Sequence, residues 1–469
     1  MFRTLRALGT IPLPAASLLT LLVICAAAPP ATAQTNAELQ AELARERAAR
    51  QALEARVAQL ESFFGQMQPD SLEMQLRGLV APEELQAAGP RTPVSRTIYN
   101  PQIGVFMDAT FEGGSFDNKL GDTDSDRGLL RETEIDFRLP IAPFAEGVAI
   151  LALENGGAGE FESGIEEGYA DVSIGGLLDT DTRATMKVGR MRPRFGRNNQ
   201  LHLHDWLQAN QPVAVRNLLG DEGVVGDGVA FNVPLAHFGG DEPGSGQTTT
   251  LDIAFVNGDL VAGEESPLGE LAADAGIELS SDDPMAVARL SHFVELGELS
   301  DVEIGVSTMQ RFGDMAVTTD VGTNVEPEYF GADITVRTRD DETGNGSWLF
   351  QAETIQSTHD FEATGNPDFP VGSEDNSGWW FTAQRQVGQN TYVGVRYGHS
   401  DVLGTGDVDK SISPYVSWYA DEFFRIRAQV EQLTRDVKGG PDIDNATRAI
   451  LQFTWNFGAH QPHPYWTNR

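Results

Sequence analysis

The chain has 469 residues, with 33 Lys+Arg against 69 Asp+Glu and a formal charge of −36. Such acidity excludes a nucleic-acid binder, which needs a basic face. Beyond the N-terminus, no apolar run is long enough for a membrane-spanning helix. Its 49 glycines and 24 phenylalanines suit a β-protein, in water or in lipid.

Residues 1–33 read as a secretory signal. Arg3 and Arg6 begin it, Leu18 to Ala28 gives the apolar stretch, and Ala31-Thr32-Ala33 gives the small-x-small site. The single cysteine, Cys25, lies inside it, so the mature chain has no disulfide, thiolate metal site or cysteine nucleophile. Residues 34–64 then place Leu39, Leu43, Leu53, Val57, Leu60 and Phe64 on steps of three and four, with Glu46 and Arg50 at the intervening positions, the seam of a coiled coil or one face of a lone amphipathic helix. Residues 65–95, with Pro69, Pro82, Pro90 and Pro93, read as a linker.

From residue 96 to 458 the period changes to two. Segments near 99–111, 129–139, 147–155, 165–174, 184–191, 225–234, 248–257, 285–295, 300–311, 328–339, 347–357, 378–387, 390–399, 411–419, 422–433 and 446–457 alternate, and residues 459–469 form a tail. In the last segment, Ala449, Leu451, Phe453, Trp455 and Phe457 oppose Arg448, Gln452, Thr454 and Asn456. Alternation alone fits a sandwich or a barrel. Loop lengths separate them: short turns such as 387–390 and 420–422 interleave with long connections such as 192–224 and 258–284, as in outer-membrane barrels. The polar face is also too charged for a dry core. It carries Arg138, Lys187, Arg289, Arg337, Arg339, Arg396, Arg425, Arg427 and Arg448, against Glu134, Asp136, Glu167, Asp171, Glu303, Asp333, Glu353 and Glu431. Sixteen strands enclose an aqueous channel wide enough to hydrate them. The expected fold is all-β: a 16-stranded antiparallel transmembrane barrel behind an N-terminal coiled-coil helix.

The connection after the fifth strand carries most of the candidate chemistry. Arg190 stands at its start, followed by Arg192, Arg194, Arg197, His202, His204 and Arg216. On an inward-folded loop these guanidinium groups would favour anions. They would equally serve to pin the loop to wall carboxylates. His202-x-His204 supplies too few ligands for a metal centre, so no metal and no cofactor is expected. No G-x-S-x-G elbow or Walker loop appears, and no enzyme activity is expected.

The stretch Met186 to Arg197 (MKVGRMRPRFGR), with Glu167-Gly168-Tyr169-Ala170-Asp171-Val172 before it, resembles the phosphate-selective porin O/P family of Gram-negative outer membranes. The resemblance implies a trimeric, sixteen-stranded porin passing small hydrophilic solutes or ions, with lipid and lipopolysaccharide around it. It also implies a periplasmic coiled coil that could reach the cell wall. Two features depart from the family. The chain has four scattered lysines (Lys119, Lys187, Lys410 and Lys438), and its last strand ends before the terminus. The alternative is a structural or adhesive barrel tethered through the coiled coil.

Overall fold

The structure is a computed structural model. It describes residues 101–115, 127–155, 161–221, 223–238, 246–257, 261, 263, 266–280, 284–311, 317–319, 324–340 and 346–458. The expected signal, coiled coil, linker and C-terminal tail lie outside the described residues.

One antiparallel sheet contains every strand among the described residues. Two short segments in the connections, Leu279–Ser280 and Val317–Thr319, pair with each other. The other sixteen strands build the wall. They are β1 Gln102–Gly114, β2 Gly128–Ala142, β3 Ala145–Asn155, β4 Phe161–Ser173, β5 Thr185–Met191, β6 Gly226–Phe238, β7 Gln247–Asn257, β8 Pro284–Glu295, β9 Ser300–Arg311, β10 Asn324–Thr338, β11 Trp348–Phe361, β12 Gly372–Gly388, β13 Thr391–Asp401, β14 Val408–Tyr419, β15 Phe424–Asp436 and β16 Ile443–Gly458. Each pairs with its sequence neighbours, and β1 pairs with β16 from Gly104↔Gly458 to Gly114↔Arg448. The sheet is therefore a closed barrel, which leaves no open edge.

Its polarity is inside out relative to a water-soluble core. On β9, Ile304 and Val306 are 51% and 44% exposed, whereas Asp301, Glu303 and Ser307 are buried. On β10, Phe330 is exposed while Asp333 and Thr335 are buried. Outward apolar side chains thus meet the surroundings, and inward polar ones meet each other. Trp348 and Trp418 lie on the outward face near the short-turn end, whereas Trp379 sits further along β12 and pairs with Thr354.

The ends differ as the loop lengths predict. One end carries turns such as 143–144, 296–299, 389–390 and 420–423; the other carries 192–225 and 258–283. No helix among the described residues is long and apolar enough to cross a membrane. Among the described residues three short α-helices sit in connections: α1 Ile174–Leu178, α2 Val213–Leu219 and α3 Pro267–Asp274. Ser266 caps α3, its hydroxyl accepting from the Gly269 N–H at 2.9 Å, and Pro267 suits the first turn.

One expectation is corrected here. The inward face is not polar and hydrated throughout. Ala254, Val256, Met285, Val287, Met309, Val325, Tyr329, Ile355, Phe361 and Trp380 form an inward apolar cluster with Phe195, Val215, Leu218 and Leu219 of the 192–225 connection and Leu268 and Ala272 of α3. Loop residues fill that part of the lumen, so inward positions on the facing strands gain from being apolar.

Candidate functional site

β5 is short. It pairs with β4 only from Gly168↔Arg190 to Ser173↔Thr185, so the chain leaves the wall partway along β4. It re-enters at Gly226. Between these points it crosses the lumen and touches most of the circumference. Beside β11, the Arg197 and Asn198 N–H groups donate to Glu353. Beside β15, the Ala209 N–H donates to Gln429 at 2.8 Å, and Nδ2 of Asn210 donates to Glu431 at 2.7 Å. Arg427 donates to the Trp206 carbonyl at 2.9 Å, and Arg396 to the Asn210 carbonyl at 2.6 Å. Arg131 of β2 donates to the Ala209 carbonyl at 2.7 Å. Backbone groups that would otherwise be orphaned in the lumen are thereby satisfied by wall side chains.

α2 lies in this crossing, and its two faces match the walls they meet. Val213, Ala214, Val215, Leu218 and Leu219 are buried, while Asn217 donates to Asp409 at 3.0 Å and Arg216 reaches Glu431 at 3.5 Å. Glycines make room for it. A Cβ on Gly378 would come within 2.8 Å of the Ala214 Cβ, and one on Gly398 within 2.8 Å of Val213.

The predicted loop residues fall into three groups. Arg192 contacts Glu166, and its N–H donates to Glu167 at 3.4 Å. Arg194 is half-exposed, with Nε 3.6 Å from Asp252. Arg197 is buried, 2.6 Å from Glu303 and 3.7 Å from Asp333. Arg289 of β8 meets the same two carboxylates at 3.2 and 2.8 Å, which makes a four-residue buried network. Arg190 differs from the expectation. It shares the outward face of β5 with Val188, and its Nε donates to the Ile165 carbonyl at 2.9 Å, with Asp227 at 3.4 Å. The two-residue period of a strand sends it away from the lumen.

His202 and His204 enter a carboxylate cluster. Nδ1 of His202 is 3.1 Å from Glu166 and 3.5 Å from Glu134, and its Nε2 is 3.5 Å from Glu167. Nδ1 of His204 is 3.2 Å from Glu134, and the His204 ring stacks on Phe106 at 4.0 Å. Burial works against the charged His202 ring, but Glu166 and Glu134 outweigh it and hold its pKa well above the usual histidine value. His204 is raised as well, burial again being overcome, here by Glu134 and Asp205.

The wall residues are mostly bound to partners rather than open to a wide channel. Arg138 pairs with Asp136 at 2.9 Å, Arg337 with Asp301 at 2.6 Å, and Arg339 donates to the Glu298 carbonyl at 2.9 Å. Arg396, Arg425 and Arg427 are buried; Arg425 donates to Thr454, and Arg427 also to Ser417 and Gln452. Arg448 stands 3.9 Å from Glu112, and Lys187 lies 3.9 Å over the Tyr169 ring. Glu431 collects Asn210, Arg216 and Arg396. A cavity of about 130 Å³ survives beside β4–β7, bordered by Asp171, Lys187, Arg192, Arg194, Asn232 and Asp252.

Two charged side chains escaped the sequence reading because bulges redirect them. The β1–β2 register shifts at Asp108/Ala109, so Arg131 is an extra residue; it turns to Asp108 at 2.8 Å. The β3–β4 register shifts at Ile150/Leu151, so Glu166 is extra and stands beside Glu167 instead of opposite it. A bulge breaks strict alternation and leaves no clear sequence signal.

No family model matches the chain. It is 28% identical over 169 residues to an uncharacterized protein of Aquifex aeolicus (strain VF5), a match spanning 32% of this chain and 34% of that protein. The match thus spans about a third of the length of that curated relative. Among solved structures, it is similar to the anion-selective porin from Comamonas acidovorans, with 10% identity, 77% of this chain and 99% of that one covered, and a TM-score of 0.47. It is also similar to the outer membrane channel DcaP of Acinetobacter baumannii, with 12% identity, 76% and 96% covered, and a TM-score of 0.45.

Proposed function

We propose that the chain is an outer-membrane porin that lets small hydrophilic solutes or ions diffuse passively through a barrel narrowed by the 192–225 connection. One observation carries this reading: a closed barrel with its apolar side chains outward has a loop bonded across its polar interior. Hydrocarbon around the barrel gives the exposed apolar band a solvent, and a water path inside gives the polar face one. The short turns then face the periplasm and the long loops the outside. The path runs past the cavity bordered by Lys187, Arg192 and Arg194, with Asp171 and Asp252 on the same border. Small anions, phosphate among them, are the solutes that this border would favour. The finer reading as a phosphate-selective O/P porin rests on residues 186–197. A homotrimer with a periplasmic coiled coil belongs to the same reading.

The test is conductance and reversal potential in a planar bilayer under a salt gradient. Discrete channels with anion preference are expected, and the preference should fall in an Arg192→Ala/Arg194→Ala double variant. Unchanged selectivity in that variant would remove the constriction role. The apolar packing of Phe195, Val215, Leu218 and Leu219 favours a second reading, a plugged structural barrel. A folded barrel that stays electrically silent would select it.

A further inference from the structure

The cluster at His202 brings three carboxylates together with two imidazoles and the Arg192 guanidinium. Glu134 and Glu167 are 2% and 5% exposed, and Glu166 contacts Arg192 of the loop. Facing these three carboxylates are the guanidinium of Arg192, the more distant Lys187 and the two imidazoles.

The donor atoms are spaced for a cation. Nδ1 of His202 lies 3.1 Å from Oε1 of Glu166 and 3.5 Å from Oε2 of Glu134. One donor atom from each of these residues lies within 4.8 Å of the others. Metal–ligand bonds of about 2.0–2.2 Å in a tetrahedron set neighbouring donors about 3.3–3.6 Å apart. Among the described residues Oε2 of Glu166 is buried without a hydrogen-bond partner, while Oε2 of Glu134 and Nδ1 of His202 meet only the ion-pair contacts within the cluster. Arg192 holds Oε1 of Glu166, the oxygen nearest His202, so Oε2 is the one left to take an ion. His204, clamped against Phe106, braces Glu134 from behind.

We propose that Glu134, Glu166 and His202 form a binding site for a divalent transition-metal cation, with zinc as the fitting probe, and that the ion ties the crossing loop to β2 and β4. One imidazole with two carboxylates suits zinc or its first-row neighbours better than magnesium or calcium, which take oxygen ligands. Three protein ligands leave room for water. The site does not depend on whether the barrel conducts, so a failed transport reading leaves its test intact.

The experiment is zinc titration of the chelator-treated full chain in detergent, by calorimetry, with millimolar magnesium present to occupy the acidic loops. One zinc per chain is expected. His202→Ala and Glu134→Gln should each weaken binding about tenfold or more, while both keep the heat-modifiable gel mobility of a folded barrel. No stoichiometric zinc, or wild-type affinity in both variants, would overturn the proposal. Should neither variant fold, zinc-edge X-ray absorption on the wild-type chain decides: imidazole scattering supports the site, and an all-oxygen shell free of it rejects the site.

Discussion

Oε2 of Glu353 accepts a hydrogen bond from the Asn198 N–H at 3.1 Å, and the same oxygen accepts from the Arg197 N–H at 3.2 Å. One wall carboxylate therefore holds a turn of the crossing loop from across the barrel. The approach depends on Gly196, whose φ is 59° and whose added Cβ would fall 1.9 Å from Oε1 of Glu353. Gly196→Ala should break this contact, because it meets both the left-handed backbone cost and the clash. The loop is then expected to become cleavable by added protease at sites within 192–225 that resist cleavage in the wild type. An identical digestion pattern would show that Glu353 is not what retains the loop.

The berth of α2 gives a second prediction. Gly378 and Gly398 are inward positions left open for Ala214 and Val213. Gly378→Val would push α2 out of its place without touching any charged pin. Overpacking of this kind costs about 1–3 kcal/mol. Single-channel conductance is expected to rise in Gly378→Val, with the heat-modifiable barrel intact. A conductance equal to the wild type would mean that α2 does not bound the path.

How much of this could be read in the chain differs by feature. All sixteen wall strands were legible, because a barrel facing lipid keeps a strict two-residue period such as Leu451, Phe453 and Trp455 against Gln452 and Thr454. The alternation of loop lengths was legible too. The pinning of the loop was open, since Arg197 reads the same whether it faces water or Glu303. Arg190 could have been placed by counting from Val188 along β5. Glu166 and Arg131 could not, because their inward turn comes from bulges. The apolar cluster was hidden for another reason. Met285 and Val287 share the face of Arg289, and Met309 that of Glu303, but nothing in the strand pattern shows that a loop covers these inward apolar positions.

The four-residue network of Arg197, Arg289, Glu303 and Asp333 yields a third prediction. All four are buried, so removing one cation strands the carboxylates it neutralised. Arg289→Ala is expected to destabilise the barrel by about 3–5 kcal/mol, the range for breaking a buried pair. An Arg289→Met/Asp333→Leu double variant should recover part of that loss, since the partner left unpaired is also removed. Urea unfolding in detergent micelles measures both. Equal losses in the single and double variants would mean that the network contributes through packing instead of charge.

The surroundings of the barrel can be tested from one outward position. Ile304 is 51% exposed and lies between Glu303, which points inward to Arg197 and Arg289, and Gly305. In water an arginine at 304 would be nearly neutral, as surface substitutions usually are. In hydrocarbon it should cost about 2–4 kcal/mol near the midplane. Ile304→Arg is therefore expected to refold poorly into lipid vesicles, whereas a replacement at a turn, Glu298→Arg, should insert like the wild type. Equal insertion of both variants would place water on the apolar face. The porin reading would fail with it, because an exposed band of Ile304, Val306 and Phe330 has no other solvent in that account.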